Sequence, residues 1–131
     1  MRVLSDDIMR ILIVDDSELV RRGLIGMLSC ETGWEVCGEA RDGPEALRKT
    51  LELLPDLILL DLHMPGISGL ETCRLLGREA PNAKIIVMSQ DDVIQLLPIA
   101  IQAGADDCVD KSQLGDLLVS IKNIELASGP R

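Results

Sequence analysis

Three aspartates, one serine and one lysine stand at or just past the ends of short apolar runs, a set suited to a divalent cation and a phosphoryl group. Ile11-Leu12-Ile13-Val14 ends at Asp15-Asp16, and Leu57-Ile58-Leu59-Leu60 ends at Asp61. Ile85-Ile86-Val87-Met88 ends at Ser89, and Cys108-Val109 leads through Asp110 to Lys111. Clustered carboxylates repel one another. Mg²⁺ relieves that repulsion, because it takes oxygen ligands and is commonly shared with a phosphate. A carboxylate such as Asp61 can also attack phosphorus and form an acyl phosphate. That transfer needs an in-line donor and neutralisation of the phosphoryl oxygens. Lys111 offers a compact positive charge, and the Ser89 hydroxyl can donate to a further oxygen. Each group alone has a plainer reading. Asp15-Asp16-Ser17-Glu18 could be helix-start acids favoured by the dipole, Ser89 a helix cap, and Lys111 a solvated surface lysine. His63 has no partner carboxylate assignable from sequence. Its side chain is expected to flank the site, with its backbone carbonyl toward the cation.

The elements that must position these groups alternate strand and helix five times. Short continuous apolar runs mark strands buried on both faces. They are expected at about Ile11–Val14, Trp34–Ala40, Leu57–Asp61, Lys84–Ser89 and Asp107–Val109. Helices are expected at about Glu18–Ser29, Pro44–Leu54, Gly69–Glu79, part of Val93–Ala103, and Leu114–Leu126. Ser17, Asp42, Ser68 and Ser112 are the N-cap candidates, and Pro44 suits a first helical turn. Val20, Leu24, Met27 and Leu28 form the inward stripe of the first helix. Leu70, Cys73 and Leu76 do so in the third, and Leu114, Leu117, Leu118, Ile121 and Ile124 in the last. Alternation of this kind implies an α/β fold, a parallel sheet with helices on both faces. With five strands the expected architecture is the flavodoxin-like doubly wound (βα)5 with order 2-1-3-4-5. Strands one and three are then neighbours, so Asp15, Asp16 and Asp61 meet at the switch crevice, beyond the carboxyl ends of the strands.

Bulk properties narrow the function. The 131 residues fit one domain with a real core. Residues 1–9 read as an N-terminal extension, 10–127 as the domain, and 128–131 as a tail or the start of a linker. Met9 is an alternative start. A net charge of -9 argues against a nucleic-acid surface on this chain, since phosphate backbones need concentrated Lys and Arg. No apolar run approaches the ~18 residues of a membrane helix, and the start lacks a secretory apolar segment. The expected location is the cytoplasm, with no membrane contact. The four cysteines make no C-x-x-C pair, so reduced, packed thiols are expected rather than zinc. Trp34 is the only aromatic residue, which leaves no stacking platform for single-stranded nucleic acid.

At this point the sequence resembles the bacterial two-component receiver domain over about residues 10 to 126. The resemblance is carried by Asp15-Asp16, the stretch Asp61-Leu62-His63-Met64-Pro65-Gly66-Ile67-Ser68-Gly69, Ser89, Gly104-Ala105 and Lys111. It implies that Asp61 accepts a phosphoryl group from a sensor histidine kinase or a histidine phosphotransfer protein. It implies that Asp16, Asp61 and the His63 carbonyl bind Mg²⁺ directly, and that Asp15 acts mainly through water. Ser89 would hold a phosphoryl oxygen and relay its presence, and Lys111 would pair with the phosphoryl group or with Asp61. Residues at positions like His63 and Asp91 would tune the lifetime of the phosphorylated state.

The sequence departs from that pattern in three places. Cys108 stands where receivers usually carry Tyr or Phe, and it is too small to switch rotamer as an aromatic ring does. Ser112 follows the lysine where proline is frequent. Gln90 follows Ser89 where smaller residues are usual. In addition, Pro98 interrupts Val93-Ile94-Gln95-Leu96-Leu97-Pro98-Ile99-Ala100-Ile101, so a kinked or shortened fourth helix is expected. That segment is apolar almost all round. Ile94, Leu96, Leu97 and Ile99 are therefore candidate contacts for a partner or a second copy, on a face of fourth helix, fifth strand and fifth helix. Three other functions compete with this reading. An aspartate-nucleophile phosphatase needs Asp-x-Asp spacing, which Asp15-Asp16-Ser17 lacks. A flavin binder needs a first loop that attracts phosphate, whereas this one carries acids. A degenerate receiver would serve as a scaffold without phosphorylation; the complete acidic set argues against it, while Cys108 and Gln90 leave it open.

Overall fold

The computed structural model describes residues 8–64 and 68–128. Pro65, Gly66 and Ile67 of the receiver-like stretch lie outside the described residues, as do most of the expected N-terminal extension and tail. The elements alternate strictly: β1 (Met9–Val14), α1 (Glu18–Leu28), β2 (Trp34–Ala40), α2 (Gly43–Leu53), β3 (Leu57–Asp61), α3 (Gly69–Glu79), β4 (Lys84–Ser89), α4 (Val93–Gln102), β5 (Asp107–Asp110) and α5 (Leu114–Ala127). All strand pairs are parallel, in the order β2-β1-β3-β4-β5. This is the flavodoxin-like topology expected from the sequence. β1 begins two residues earlier than expected, because Met9 is buried and pairs with Trp34.

The continuous apolar runs are explained by two cores, one on each face of the sheet. Leu12, Ile58, Leu60, Ile85 and Val87 pack on one side with Ala46, Cys73, Leu76 and Ala100 of α2, α3 and α4. Ile11, Ile13, Leu57, Leu59 and Ile86 pack on the other with Leu24, Leu28, Leu117 and Ile121 of α1 and α5. Successive strand residues point to opposite faces, and both faces are covered, so no polar alternation is tolerated. Truncating one of these side chains to Ala costs about 2–5 kcal/mol. The Trp34 indole N–H reaches Glu125 Oε2 at 3.2 Å, tying the start of β2 to α5.

Local chemistry sets most of the helix starts. The Ser17, Asp42 and Ser68 side chains accept from the N–H groups of Val20, Glu45 and Glu71, as N-caps do. Ser112 does not cap α5. Its N–H and hydroxyl both donate to Asp110 Oδ1, at 2.8 and 2.7 Å, and Gln113 occupies the cap position without a side-chain bond. A serine two residues after an aspartate satisfies that carboxylate first. α4 runs unbroken through Pro98. Leu96 is partly buried and packs against the core with Val93, while Ile94, Leu97 and Ile99 are exposed. The rotation of α4 on the sheet decides this, since Val93, Leu96 and Ala100 recur at helical spacing. Leu114, expected inside, is 43% exposed because it lies at the outer end of α5, beside α1.

Candidate functional site

Strand register brings the sequence-assigned groups together. Val14 pairs with Leu60, so Asp15 lies level with Asp61 across the β1/β3 crevice. Asp61 pairs with Met88, which sets Ser89 one step further out, and Ser89 pairs with Asp110, which sets Lys111 further still. The Lys111 N–H donates to the Ser89 carbonyl at 2.9 Å, fixing the last two strand ends to each other.

The β1–α1 turn aims the first aspartates. The Ser17 N–H donates to Asp15 Oδ1 at 2.9 Å, and the Arg21 guanidinium donates to the Asp15 carbonyl at 2.7 Å while pairing with Glu39. Arg21 is a positioning residue that sequence reasoning missed; its place one turn after the Ser17 cap was the only available signal. Asp15 is fully buried, Asp61 is 1% exposed, and Asp16 is exposed. One carboxylate oxygen from each of these three residues falls within a 4.8 Å set, a spacing that fits a cation.

Asp61 is poorly satisfied for a buried charge. Its Oδ1 accepts from the His63 N–H at 3.0 Å and lies 3.4 Å from Lys111 Nζ. Its Oδ2 is buried and has no hydrogen-bond partner among the described residues. Burial pushes its pKa above the usual carboxylate value and Asp15 adds to this, while the His63 N–H and Lys111 act the other way. An orphaned carboxylate oxygen among two further carboxylates fits a hard cation that keeps some waters. Asp15, Asp16 and Asp61 are the side chains that would hold it.

Lys111 Nζ sits 2.8 Å from Asp15 Oδ2, closer than to Asp61. Burial alone would lower its pKa, but the bond to Asp15 and the charges of Asp61 and Asp15 outweigh that and raise it. Lys111 is therefore a fixed cation between two buried acids. Ser89 is fully buried, and its Oγ accepts from the Asp91 N–H at 2.9 Å. It makes a local turn rather than capping α4, whose cap is Asp92.

The His63 side chain does find a carboxylate. Its Nε2 stands 3.1 Å from Asp91 Oδ2, with both side chains about half exposed or more. Since Asp91 turns on Ser89 and His63 turns on Asp61, the pair spans from one side of the site to the other.

Gly69 explains why the receiver-like stretch ends in glycine. A Cβ there would lie 2.4 Å from Leu62 Cα and 2.8 Å from the carbonyl oxygens of Asp61 and Leu62. The start of α3 presses directly on the backbone that follows Asp61, and Met64 is buried in the core beneath. Cys108 is buried on β5, where burial and the Asp107 charge push its thiol up. Burial pushes Cys73 up to about 11. All four cysteines are free, but Cys30 is exposed rather than packed.

Among the described residues, no helix is long and apolar enough to cross a membrane. The profile of the response regulator receiver domain matches residues 11–122. A protein-glutamate methylesterase/protein-glutamine glutaminase of Myxococcus xanthus is 45% identical over 103 residues, covering 78% of this chain and 30% of that protein. The transcriptional regulatory protein LiaR of Bacillus subtilis is 41% identical over 125 residues, covering 93% of this chain and 54% of that protein. This chain thus spans about half, or less, of these relatives' length. A crystal structure of a LuxR-family two-component response regulator from Aurantimonas superposes with a TM-score of 0.86 at 31% identity, covering 92% of this chain and 86% of that one. With the acid cluster at the β1/β3 crevice and the profile match over nearly its whole length, this chain belongs to the response regulator receiver domain family.

Proposed function

We propose that this receiver accepts a phosphoryl group on Asp61 from the phosphohistidine of a sensor histidine kinase or a histidine phosphotransfer protein, in the cytoplasm. The observation that carries the reading is Asp61 itself: a buried carboxylate with one unpartnered oxygen, flanked by Asp15, Asp16 and Lys111. An oxygen without a hydrogen bond keeps its lone pairs for phosphorus. As Asp61 attacks, its O–P bond forms, the N–P bond of the donor breaks, and the imidazole leaves with the electron pair and takes a proton. Bound Mg²⁺ would supply positive charge to the phosphoryl oxygens. Asp15, Asp16, Asp61 and the His63 carbonyl are the groups proposed to hold it.

Lys111 lies within reach of both Asp15 and Asp61, and it would pair with the phosphoryl oxygens once the negative charge of Asp61 is esterified. Ser89 would donate its hydroxyl proton to another oxygen; its Oγ then keeps the Asp91 N–H as a donor. That coupling would carry the change into the β4–α4 turn, and from there to α4, β5 and α5. Cys108 lies on that route without an aromatic ring, so the relay would run through backbone and packing. The chain is proposed to act as a switch, with the transfer and its hydrolysis as its only chemistry.

The test is intact mass after incubation with Mg²⁺ and a small-molecule phosphodonor, beside Asp61→Asn. One phosphoryl group is expected on the parent chain, and none on the variant or with EDTA. Absence of the group with both small donors and phosphorylated kinases would leave the scaffold reading.

A further inference from the structure

We propose that the cleft between the end of α3 and the end of α4 binds a nucleoside diphosphate. The site is separate from the acid cluster and does not rest on the role of Asp61. Unpaired cations, the size of the cleft and the occupied carbonyls at its rim carry the inference together.

The cleft holds about 500 Å³. Arg74, Gly77 and Arg78 of α3 form one wall, Lys84 at the start of β4 the floor, and Gln102 and Gly104 at the end of α4 the other wall. Small-molecule sites span roughly 300–1,000 Å³. Lys84 and Ser89 are the two ends of β4, so roughly 17 Å of extended strand separates the cleft from the acid cluster.

In a chain with 22 Asp and Glu against 13 Lys and Arg, a cation finds a partner easily. Arg41, Arg78 and Lys84 are the described cations whose side chains have no hydrogen-bond or ion-pair partner among the described residues. Of these, Arg78 and Lys84 line this one cleft. The acids beside them are engaged. Glu71 pairs with Arg74 at 3.2 Å, and Asp106 Oδ2 accepts from the Ile85 N–H at 2.8 Å. Cations thus outnumber acids here, against the sign of the whole chain. The helix dipole accounts for Arg78 in the last turn of α3, but not for Lys84, which belongs to a strand. Free carbonyls at the end of α4 would repel an anion, and the last turn occupies them. The N–H groups of Ala103, Gly104 and Ala105 donate to the carbonyls of Ile99, Ile101 and Ala100, with Gly104 in the left-handed region at a φ of 109°.

The groups present select the ligand. An Arg fork beside a Lys point charge suits a phosphate chain. The Gln102 amide and the Asp106 carboxylate add donors and acceptors for the polar edge of a base or ribose. At Gly77 an added Cβ would meet nothing within 4 Å, which leaves room for the body of the ligand.

The unmodified chain is titrated with ADP, GDP, CDP and UDP in EDTA, which keeps metal off the acid cluster. Amide NMR shifts are expected at Gly77, Arg78, Lys84 and Gly104 with at least one of these, and not with the matching nucleoside. Arg78→Gln and Lys84→Gln should each weaken binding about tenfold. Arg41→Gln, which removes the other unpaired cation after β2, should leave it unchanged. Gly77→Leu keeps every charge and fills the cleft, so binding should be lost. Four results would each overturn the proposal. They are no shift with any of the nucleotides at millimolar concentration, shifts centred on Asp15 and Asp61, equal effects of Arg78→Gln and Arg41→Gln, and pyrophosphate binding as tightly as the best nucleotide.

Discussion

Lys111 Nζ lies 2.8 Å from Asp15 Oδ2, closer than its 3.4 Å to Asp61 Oδ1, so the lysine at the end of β5 is held chiefly by Asp15 and not by the proposed acceptor. The pairing positions the ammonium before any donor arrives. It also neutralises part of the charge that the sheet buries. Lys111→Ala leaves two buried carboxylates without their cation. We expect the metal-free protein to lose about 3 kcal/mol in urea unfolding and Mg²⁺ to restore part of it. Phosphoryl incorporation should slow by about 100-fold, as when a fixed donor to transition-state charge is removed. The pH dependence follows from the sign. A lysine pKa raised above 10.5 in the folded state contributes stability that is complete below 10.5 and is lost as pH rises through the folded value. Alkaline melts of parent and Lys111→Ala should converge.

Asp61 should behave in the opposite sense. Its folded pKa is raised, first by burial and then by Asp15, so the native state holds the proton more tightly than the unfolded chain. Stability then falls as pH climbs from 3.8 through the folded value, and above it the buried charge is a standing cost. Asp61→Asn is expected to melt higher than the parent in EDTA at neutral pH. It should also lose most of the rise in Tm that Mg²⁺ produces in the parent, as a ligand bound only by the native state stabilises it.

Two glycines give opposite predictions from one substitution. At Gly69 a methyl group meets backbone at 2.4 Å, and backbone cannot step aside. Gly69→Ala should cost roughly 2 kcal/mol or more and slow phosphoryl incorporation by shifting the Asp61–Leu62 backbone. At Gly23, inside α1, nothing lies within 4 Å. Gly23→Ala should stabilise by about 0.5–1 kcal/mol through helix propensity, measured by the same urea titration.

Leu54 caps α2 with a φ of 52°, the left-handed region, just before Pro55. A branched-chain residue there carries steric strain, and its side chain is 71% exposed, so little burial offsets it. Leu54→Gly is expected to raise Tm by a few degrees without altering phosphoryl incorporation, since it lies at the end of the sheet away from Asp61.

Some of this molecule was legible residue by residue. Ile11–Val14, Leu57–Leu60 and Ile85–Met88 are unbroken apolar runs because both sheet faces are covered, and a run of that kind announces a central parallel strand. Ser17, Asp42 and Ser68 act on backbone three residues away, so their capping is a local property that sequence contains. Asp15, Asp16, Asp61 and Ser89 follow from those strands, because a residue at or just past a strand's carboxyl end has one place to be. What tertiary structure decided was the choice among partners brought together from distant positions. Lys111 reaches both Asp15 and Asp61, and the packing of β5 against the sheet leaves it closer to Asp15. His63 met Asp91 across the mouth through two separate turns. Leu96 went inward and Ile94 outward by the rotation of α4 on the sheet, a rotation that its all-round apolar sequence leaves unspecified. Sequence dictates which groups are available and the local geometry of each; register and helix rotation, set by packing between elements, determine which of them touch.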